Sequence, residues 1–154
     1  MNQQRRDALR ISTVLGLAVA AGLMTAQQAS AATPWNSAAF DTKNLNDTLK
    51  VLGGSSAAVS KDLVISAPDI AENGAVVQVS VASSLPNVQQ LAILVEKNPN
   101  TLAAVFFIPA GTEAAVTTRI KMAQTSNIHT LASVDGKWLI ASKEIKVTLG
   151  GCGG

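Results

Sequence analysis

The feature of the sequence best placed to do chemistry is its single cysteine. Cys152 stands third from the end, in the run Gly150-Gly151-Cys152-Gly153-Gly154. A cysteine thiolate is a nucleophile that forms covalent bonds with other sulfur atoms. One cysteine and one histidine are too few for an ordinary zinc site, and one cysteine closes no internal disulfide. Cys152 therefore acts alone or with another molecule.

The residues around Cys152 indicate what kind of thiol it is. Four glycines in five residues lose much conformational entropy on ordering, so we expect a mobile arm over residues 150–154. No base and no second cysteine stands beside Cys152 to activate it. This favours a carrier that other enzymes charge and discharge. A module that crosslinks chains through a disulfide is the alternative, and a thiol peroxidase is disfavoured because a resolving cysteine is lacking.

The first 31 residues have the pattern of an export signal. A basic stretch, residues 2–10, precedes an apolar run, residues 11–26, and Ala29-Ser30-Ala31 supplies a small-residue cleavage site. The apolar run is shorter than the ~20 residues of a membrane-spanning helix, which favours cleavage over anchoring. Arg5-Arg6 resembles a twin-arginine signal with Ala8 in place of the usual aromatic, so the ordinary secretory route stays open. Both routes predict a periplasmic protein.

The charge balance excludes one class of partner. The chain has a formal charge of +2, but three arginines and one aspartate lie in the leader, which leaves nine basic and nine acidic residues. A neutral body with few aromatic residues lacks the basic patch and the stacking side chains of nucleic-acid-binding proteins. We expect one domain over residues 32–149, because its length suits a single core.

The body begins with a helical pattern and continues with strands. Large apolar side chains recur at roughly helical spacing before Gly53-Gly54, at Phe40, Leu45, Leu49 and Leu52, which predicts one short helix at about 38–52. Short runs with period two then follow, at Leu63–Ser66, Val76–Ala82, Val88–Val95, Leu102–Ile108, Val116–Met122, Ile128–Val134 and Trp138–Leu149. Six or seven such strands predict a mainly β fold, an antiparallel β-sandwich. Asp135-Gly136 is the clearest hairpin signal.

Two strands are apolar on both faces. These are Leu91–Val95 and Val105–Ile108. One face of each sheet in a two-layer sandwich normally meets water, so the spare apolar surface indicates either a partner protein or a cover formed by the helix.

Several other residues are assigned no chemistry. His129 lies in a probable strand without an obvious acidic neighbour, and we interpret it as a residue of the sheet face. Glu72-Asn73-Gly74 is ordinary turn sequence, with a partner contact as the alternative. Met122 alternates with core positions, and Trp35 and Trp138 are interpreted as core or interface anchors.

The arm and three segments of the body together resemble one known family. The segments are Ala67–Val77, with the sequence APDIAENGAVV, Glu96–Asn100, with the sequence EKNPN, and Thr118–Ala123, with the sequence TRIKMA. With the terminal GGCGG and the Asp135-Gly136-Lys137 turn, they are similar, in the same order, to SoxY. SoxY is the sulfur-carrier subunit of the periplasmic thiosulfate-oxidising system.

The resemblance implies a fold and a role for each residue of the arm. The fold is an immunoglobulin-like sandwich preceded by a short helix. Cys152 is the covalent attachment site for sulfur intermediates, held as cysteine S-thiosulfonate and S-sulfane, and Gly150, Gly151, Gly153 and Gly154 form the flexible arm. The chain is then a carrier and not an enzyme, with no cofactor and no metal.

The resemblance also implies the partners. A SoxZ-like subunit forms a heterodimer with the chain. A haem c enzyme of the SoxAX type attaches thiosulfate to Cys152, and a SoxB-type hydrolase releases sulfate. Where it is present, a SoxCD-type sulfane dehydrogenase oxidises the remaining sulfur. Neither nucleic acid nor, after cleavage of the leader, a membrane is expected to bind.

Overall fold

The computed structural model describes residues 36–149. The predicted export signal, Trp35 and the arm with Cys152 lie outside the described residues. No helix within residues 36–149 combines the length and the apolar character needed to cross a membrane.

Within residues 36–149, two short helices are followed by nine strands. Helix α1 spans Ser37–Phe40 and α2 spans Leu45–Leu52. The strands are β1 (Ala58–Val59), β2 (Leu63–Ser66), β3 (Ile70–Ala71), β4 (Val77–Ser83), β5 (Val88–Val95), β6 (Leu102–Phe107), β7 (Ala115–Ile120), β8 (Ser126–Val134) and β9 (Lys137–Val147).

The helical region differs from the prediction of one helix at about 38–52, because it is interrupted between Phe40 and Leu45. Asn44 has an extended backbone, and its side chain accepts a hydrogen bond of 2.9 Å from the backbone N–H of Asp47. An asparagine in this position caps a new helix rather than continuing the old one. The predicted end is confirmed, because Gly53 closes α2 with a φ of 85°, which glycine adopts without steric cost.

The larger strands follow the sequence pattern closely. All seven predicted runs contain a strand, and β2 and β5 have the predicted bounds. Asp135 and Gly136 have φ angles of 49° and 76° and form the tight turn between β8 and β9, where Val134 pairs with Lys137. The alternation of apolar and polar residues thus placed the main strands of the sandwich.

The strands form two sheets. A six-stranded sheet has the order β1-β9-β8-β5-β6, and β3 also pairs with β9. A three-stranded sheet has the order β2-β4-β7. The long pairs are antiparallel, as predicted for an immunoglobulin-like sandwich, but β1 and β3 are two-residue strands that lie parallel to β9.

Apolar side chains fill two clusters, one on each face of the six-stranded sheet. The larger cluster lies between the sheets and includes Leu91, Ile93 and Ile128. The smaller one includes Leu94 and Leu131, which pack against partly buried side chains of α1 and α2. Because neighbouring residues of β5 point to opposite faces, the apolar run Leu91–Val95 is buried on both sides. The helices cover the outer face of this run.

The cap of α2 gives a prediction about stability. Asn44→Ala should lower the free energy of unfolding by about 1 kcal/mol, since the N–H of Asp47 loses its acceptor. Asn46→Ala, at an exposed position inside the same helix, is the matched control and should change it by less than about 0.5 kcal/mol. Urea denaturation measures both, and equal values for the two variants would contradict the capping role.

Candidate functional site

The last residues of the described chain are held on one edge by the segment that contains β3. The N–H of Lys146 donates to the carbonyl of Asp69 at 2.9 Å, and the N–H of Thr148 donates to that of Ala71 at 3.1 Å. The N–H of Gly74 then donates to the carbonyl of Leu149 at 2.7 Å. The backbone is therefore fixed up to the residue that precedes the arm.

The turn after β3 joins the end of β9 to the other sheet. Gly74 lies at its centre, because its carbonyl accepts a 2.7 Å hydrogen bond from the N–H of Met122 while its own N–H binds Leu149. The side chain of Asn73 accepts from the N–H of Ala75 at 2.8 Å, an Asx turn. The turn predicted at Glu72-Asn73-Gly74 is present, and its Gly74 also binds Leu149, the residue before the arm.

The opposite edge of β9 is held by the loop between β7 and β8. The hydroxyl of Thr125 accepts a 2.9 Å hydrogen bond from the N–H of Val147. Asn98 fixes the same loop from the end of β5, because its amide donates to the carbonyl of Lys121 at 2.8 Å and accepts from the N–H of Ala123 at 2.9 Å. We call residues 70–76 and 121–125, which flank the end of β9, the collar.

The collar gathers residues that are far apart in sequence. The three body segments named in the sequence analysis, 67–77, 96–100 and 118–123, all meet at this end of the sandwich through the hydrogen bonds of Gly74 and Asn98. The sequence analysis missed this arrangement, because single segments do not reveal which of them meet. Their shared resemblance to one family was the only signal.

The covalent chain limits how far Cys152 lies from the collar. Cys152 is the third residue after Leu149, and a fully extended chain of that length spans at most about 11 Å. The thiol therefore acts close to this end of the sandwich, whatever conformation the arm adopts.

One known protein family matches most of the chain. The model of the family described as "Sulfur oxidation protein SoxY" matches residues 49–152, which include the collar and Cys152. The chain belongs to the SoxY family. No curated protein matches the chain in a search by sequence.

A solved SoxY structure agrees with the family assignment. The sulfur carrier protein SoxY from Chlorobium limicola f thiosulfatophilum shares 34% sequence identity with the chain and superposes with a TM-score of 0.62. The match covers 74% of the chain and 100% of the Chlorobium protein. The SoxY fold is thus confirmed, together with the family's place in sulfur oxidation.

Two other solved structures match weakly. A chain from a study of T-cell activation by the bacterial superantigen toxic shock syndrome toxin-1 has 14% identity and a TM-score of 0.39. The match covers 55% of the present chain and 98% of the other one. An engineered protein also has 14% identity and a TM-score of 0.39. The match covers 56% of the present chain and 20% of the engineered protein. These values carry no conclusion about function.

His129 has neighbours that its sequence context did not reveal. It is buried in β8, and its Nδ1 lies 2.7 Å from the hydroxyl of Ser142. Glu96 brings a carboxylate oxygen to 3.7 Å from its Nε2, which is too long for a hydrogen bond. Burial lowers the pKa of His129, while the nearby carboxylate of Glu96 acts in the opposite direction. His129 is therefore a neutral residue of the sheet at pH 7.

His129 is also too far away to serve the thiol of the same chain. Its partner on β9, Ser142, lies seven residues before Leu149, or about 23 Å along the strand. Since Cys152 stays within about 11 Å of Leu149, the imidazole is out of its reach. The interpretation of His129 as a sheet-face residue and not as a base fits this distance.

A surface cleft lies at the other end of the sandwich. It is lined by Leu85–Asn87, Ile108–Gly111 and Asp135. Asp135 adjoins the start of β9, so the cleft is about 33 Å from the end of that strand. Cys152 of the same chain does not reach it. Within residues 36–149, no three side chains of the metal-ligating types come together.

The other strand that was predicted to be apolar on both faces, β6, keeps one exposed apolar side chain. This strand pairs only with β5, so its other edge has no strand beside it in the described part of the chain. Phe107, at its end, is 56% exposed. Trp138, in contrast, packs against the backbone of Gly53 and Gly54. The two apolar strands thus differ. The helices cover the outer face of Leu91–Val95, whereas Phe107 of β6 stays exposed and is available to a partner.

The single histidine gives a prediction about pH. Because burial lowers its folded-state pKa below 6.5, the unfolded chain binds the proton first as the pH falls. The stability of the protein should be independent of this group above pH 6.5 and should fall below it. His129→Gln, which keeps a hydrogen-bonding side chain toward Ser142, should flatten this dependence in urea denaturation between pH 7.5 and 5. The stabilisation linked to Glu96, whose pKa is lowered chiefly by a hydrogen bond from Asn127, is lost nearer pH 4.5, outside this window. An unchanged slope in the variant would contradict the prediction.

Proposed function

We propose that the chain is a covalent carrier of sulfur in thiosulfate oxidation, with Cys152 as the attachment site. One observation carries the proposal: in a SoxY-family chain, the single cysteine lies three residues beyond a backbone that is fixed on both edges. The body then holds the start of the arm in one place, while Gly150, Gly151, Gly153 and Gly154 add no side chains that would block access to the thiol.

The carrier cycle consists of steps that partner enzymes perform on Cys152. In the first, the thiol and thiosulfate form an S–S bond and give cysteine S-thiosulfonate, one proton and two electrons, which a haem c enzyme of the SoxAX type accepts. In the second, a SoxB-type hydrolase adds water to the terminal sulfur and releases sulfate and a proton, leaving an S-sulfane. A SoxCD-type dehydrogenase, where present, would accept electrons from that sulfane sulfur while water supplies oxygen and releases protons. The hydrolase would then release the resulting sulfonate as a second sulfate and regenerate the thiol. The chain itself supplies the attachment point and no catalytic group.

The surroundings of Cys152 support a carrier rather than a catalyst. Activation of a thiol requires a nearby base or positive charge. The imidazole of His129 is too far away, and the sequence beside Cys152 contains only glycines. A covalent tether keeps the intermediate at a high effective concentration for each enzyme in turn. This advantage does not require the carrier to catalyse any step.

The free edge of β6 supports a heterodimer with a SoxZ-like subunit. An unpaired strand edge beside an exposed Phe107 invites the addition of a strand or an apolar face from another protein. The opposite edge of the six-stranded sheet is occupied by β1 and β3. We therefore place the SoxZ-like subunit at β6. The export pattern of residues 1–31 supports assembly of this complex in the periplasm.

Removal of the thiol tests the carrier function. Cys152→Ser should fold as the wild type does, because the strands and both apolar clusters of residues 36–149 are formed without it, and should abolish thiosulfate oxidation by the reconstituted system. Intact mass spectrometry should show thiosulfate-derived adducts on the wild type and none on the variant. Sustained turnover by the variant would contradict the proposal, and so would a disulfide dimer, seen on a non-reducing gel, as the sole active species.

A second experiment tests the partner surface. Phe107→Glu should reduce co-purification of the SoxZ-like subunit about tenfold, because a charge would enter an apolar contact. Val59→Glu is the matched control, since Val59 is 87% exposed on β1 at the other edge of the sheet. Equal recovery of the partner with both variants would show that the subunit does not bind at β6.

A further inference from the structure

The free edge of β6 lacks the residues that usually keep such an edge from pairing. The strand has the sequence LAAVFF, without a charged residue or a proline, and its outer edge has no strand beside it within residues 36–149. Edge strands of free proteins commonly carry lysine or proline to prevent association. From Ala104 to Phe107 the strand pairs with β5 in regular register. The edge is therefore suited to accept a strand from another protein, which would continue the sheet through backbone hydrogen bonds.

The last residue of β6, Phe107, leads into an acidic cleft. The next residues, Ile108–Gly111, line the cleft at the far end of the sandwich together with two carboxylates, those of Glu113 and Asp135. Among its lining residues in the described chain there is no lysine or arginine. Neither carboxylate forms an ion pair within residues 36–149, although Asp135 lies 3.5 Å from the amide of Asn87. The cleft thus presents two carboxylates that no cation of the described chain contacts.

The start of β6 has the opposite charge. A second groove lies there between β6 and β7, lined in part by Leu102–Ala104 and Thr118–Lys121. Its charged residues, Arg119 and Lys121, form no ion pair within residues 36–149. Lys43 adds a third positive charge, because its ammonium group donates to the side chain of Asn100, which lines the same groove. In the part of the chain that the structure describes, no carboxylate lines this groove.

The two charged ends are far enough apart to act independently. Because β6 has six residues, about 20 Å separate its ends. The Debye length is about 8 Å at physiological ionic strength, so the charges at one end do not cancel those at the other for a strand that lies along the edge. Complementary charges across an interface fix the register of the partners and suppress wrong pairings. The edge therefore distinguishes the two ends of a strand that pairs with it.

We propose that the SoxZ-like subunit adds a strand to β6, with basic side chains at the end beside Glu113 and acidic side chains at the end beside Arg119. This proposal rests on the heterodimer proposed above and specifies how the partner is held. The backbone of β6 supplies the hydrogen bonds of the pairing, and the charges select one of the two directions. A strand that paired in the opposite direction would bring like charges together at both ends, which disfavours it.

Reversal of one charge at each end tests the proposal. Glu113→Lys and Arg119→Glu should each raise the Kd of the heterodimer about tenfold, and the double variant about a hundredfold, because effects at distant positions add. Glu144→Lys and Lys61→Glu, at exposed positions on β9 and before β2, are the matched controls and should bind as the wild type does. Both double variants keep the net charge of the wild type. Wild-type affinity of the two edge variants, or an equal loss in the controls, would overturn the proposal.

Photo-crosslinking tests the direction of the added strand. The photoreactive residue p-benzoylphenylalanine is placed at Thr112, which lines the cleft, or at Thr118, which lines the groove, and the crosslinked peptides of the heterodimer are identified by mass spectrometry. The two positions should capture opposite ends of one partner segment, with lysine or arginine near the first and aspartate or glutamate near the second. Capture of unrelated segments, of the reverse charges or of no partner residue would contradict the proposal.

The Phe107→Glu variant separates this proposal from the one on which it rests. If Phe107→Glu and the charge reversals all leave the Kd unchanged, the subunit does not bind at β6 and the proposed interface is wrong. If Phe107→Glu weakens binding while the charge reversals do not, the interface is correct and only the proposed direction is wrong.

Discussion

The hydrogen bond between Gly74 and Leu149 fixes the residue that precedes the glycine-rich terminus. Without it and the pairing of β3 with β9, the residues after Ile145 would be released from one edge, and each would add about 3.3 Å to the reach of Cys152. A longer tether covers a larger volume, but its effective concentration at any one point falls. By fixing Leu149, the collar limits the thiol to a volume within about 11 Å of one end of the sandwich.

The same constraint separates the thiol from the single histidine of the chain and from the cleft at the other end of the sandwich. The buried pair of His129 and Ser142 lies about 23 Å back along β9, and the cleft beside Asp135 lies farther still. If Cys152 carries a persulfide or a thiosulfonate, as proposed, this distance keeps the imidazole of His129 from activating water or another thiol against the S–S bond.

Local patterns predicted the main strands, and contacts distant in sequence explain what they missed. Apolar and polar residues alternate in β4, β7 and β9, and Asp135-Gly136 adopts positive φ angles. Both features depend on neighbouring residues, so the sequence predicted them. Strands β1 and β3 have two residues each, too few for any period, and exist because β9 offers them a free edge. The contact of His129 with Glu96 spans 33 residues and left no local signal. Likewise, the turns of the collar are distant in sequence and are brought together only when the strands between them pair.

The two edges of the six-stranded sheet explain how a carrier could keep one partner while it visits others. Three strand spacings, from β9 through β8 and β5 to β6, separate the start of the arm from the free edge, or about 14 Å. A subunit bound at β6 would therefore leave the collar accessible. If the permanent partner instead covered β9, every enzyme would have to displace it before reaching Cys152. Because β1 and β3 cover part of that side of β9 with backbone hydrogen bonds, β6 is the longer unpaired edge of the sheet within residues 36–149, which is why we propose it for the permanent partner.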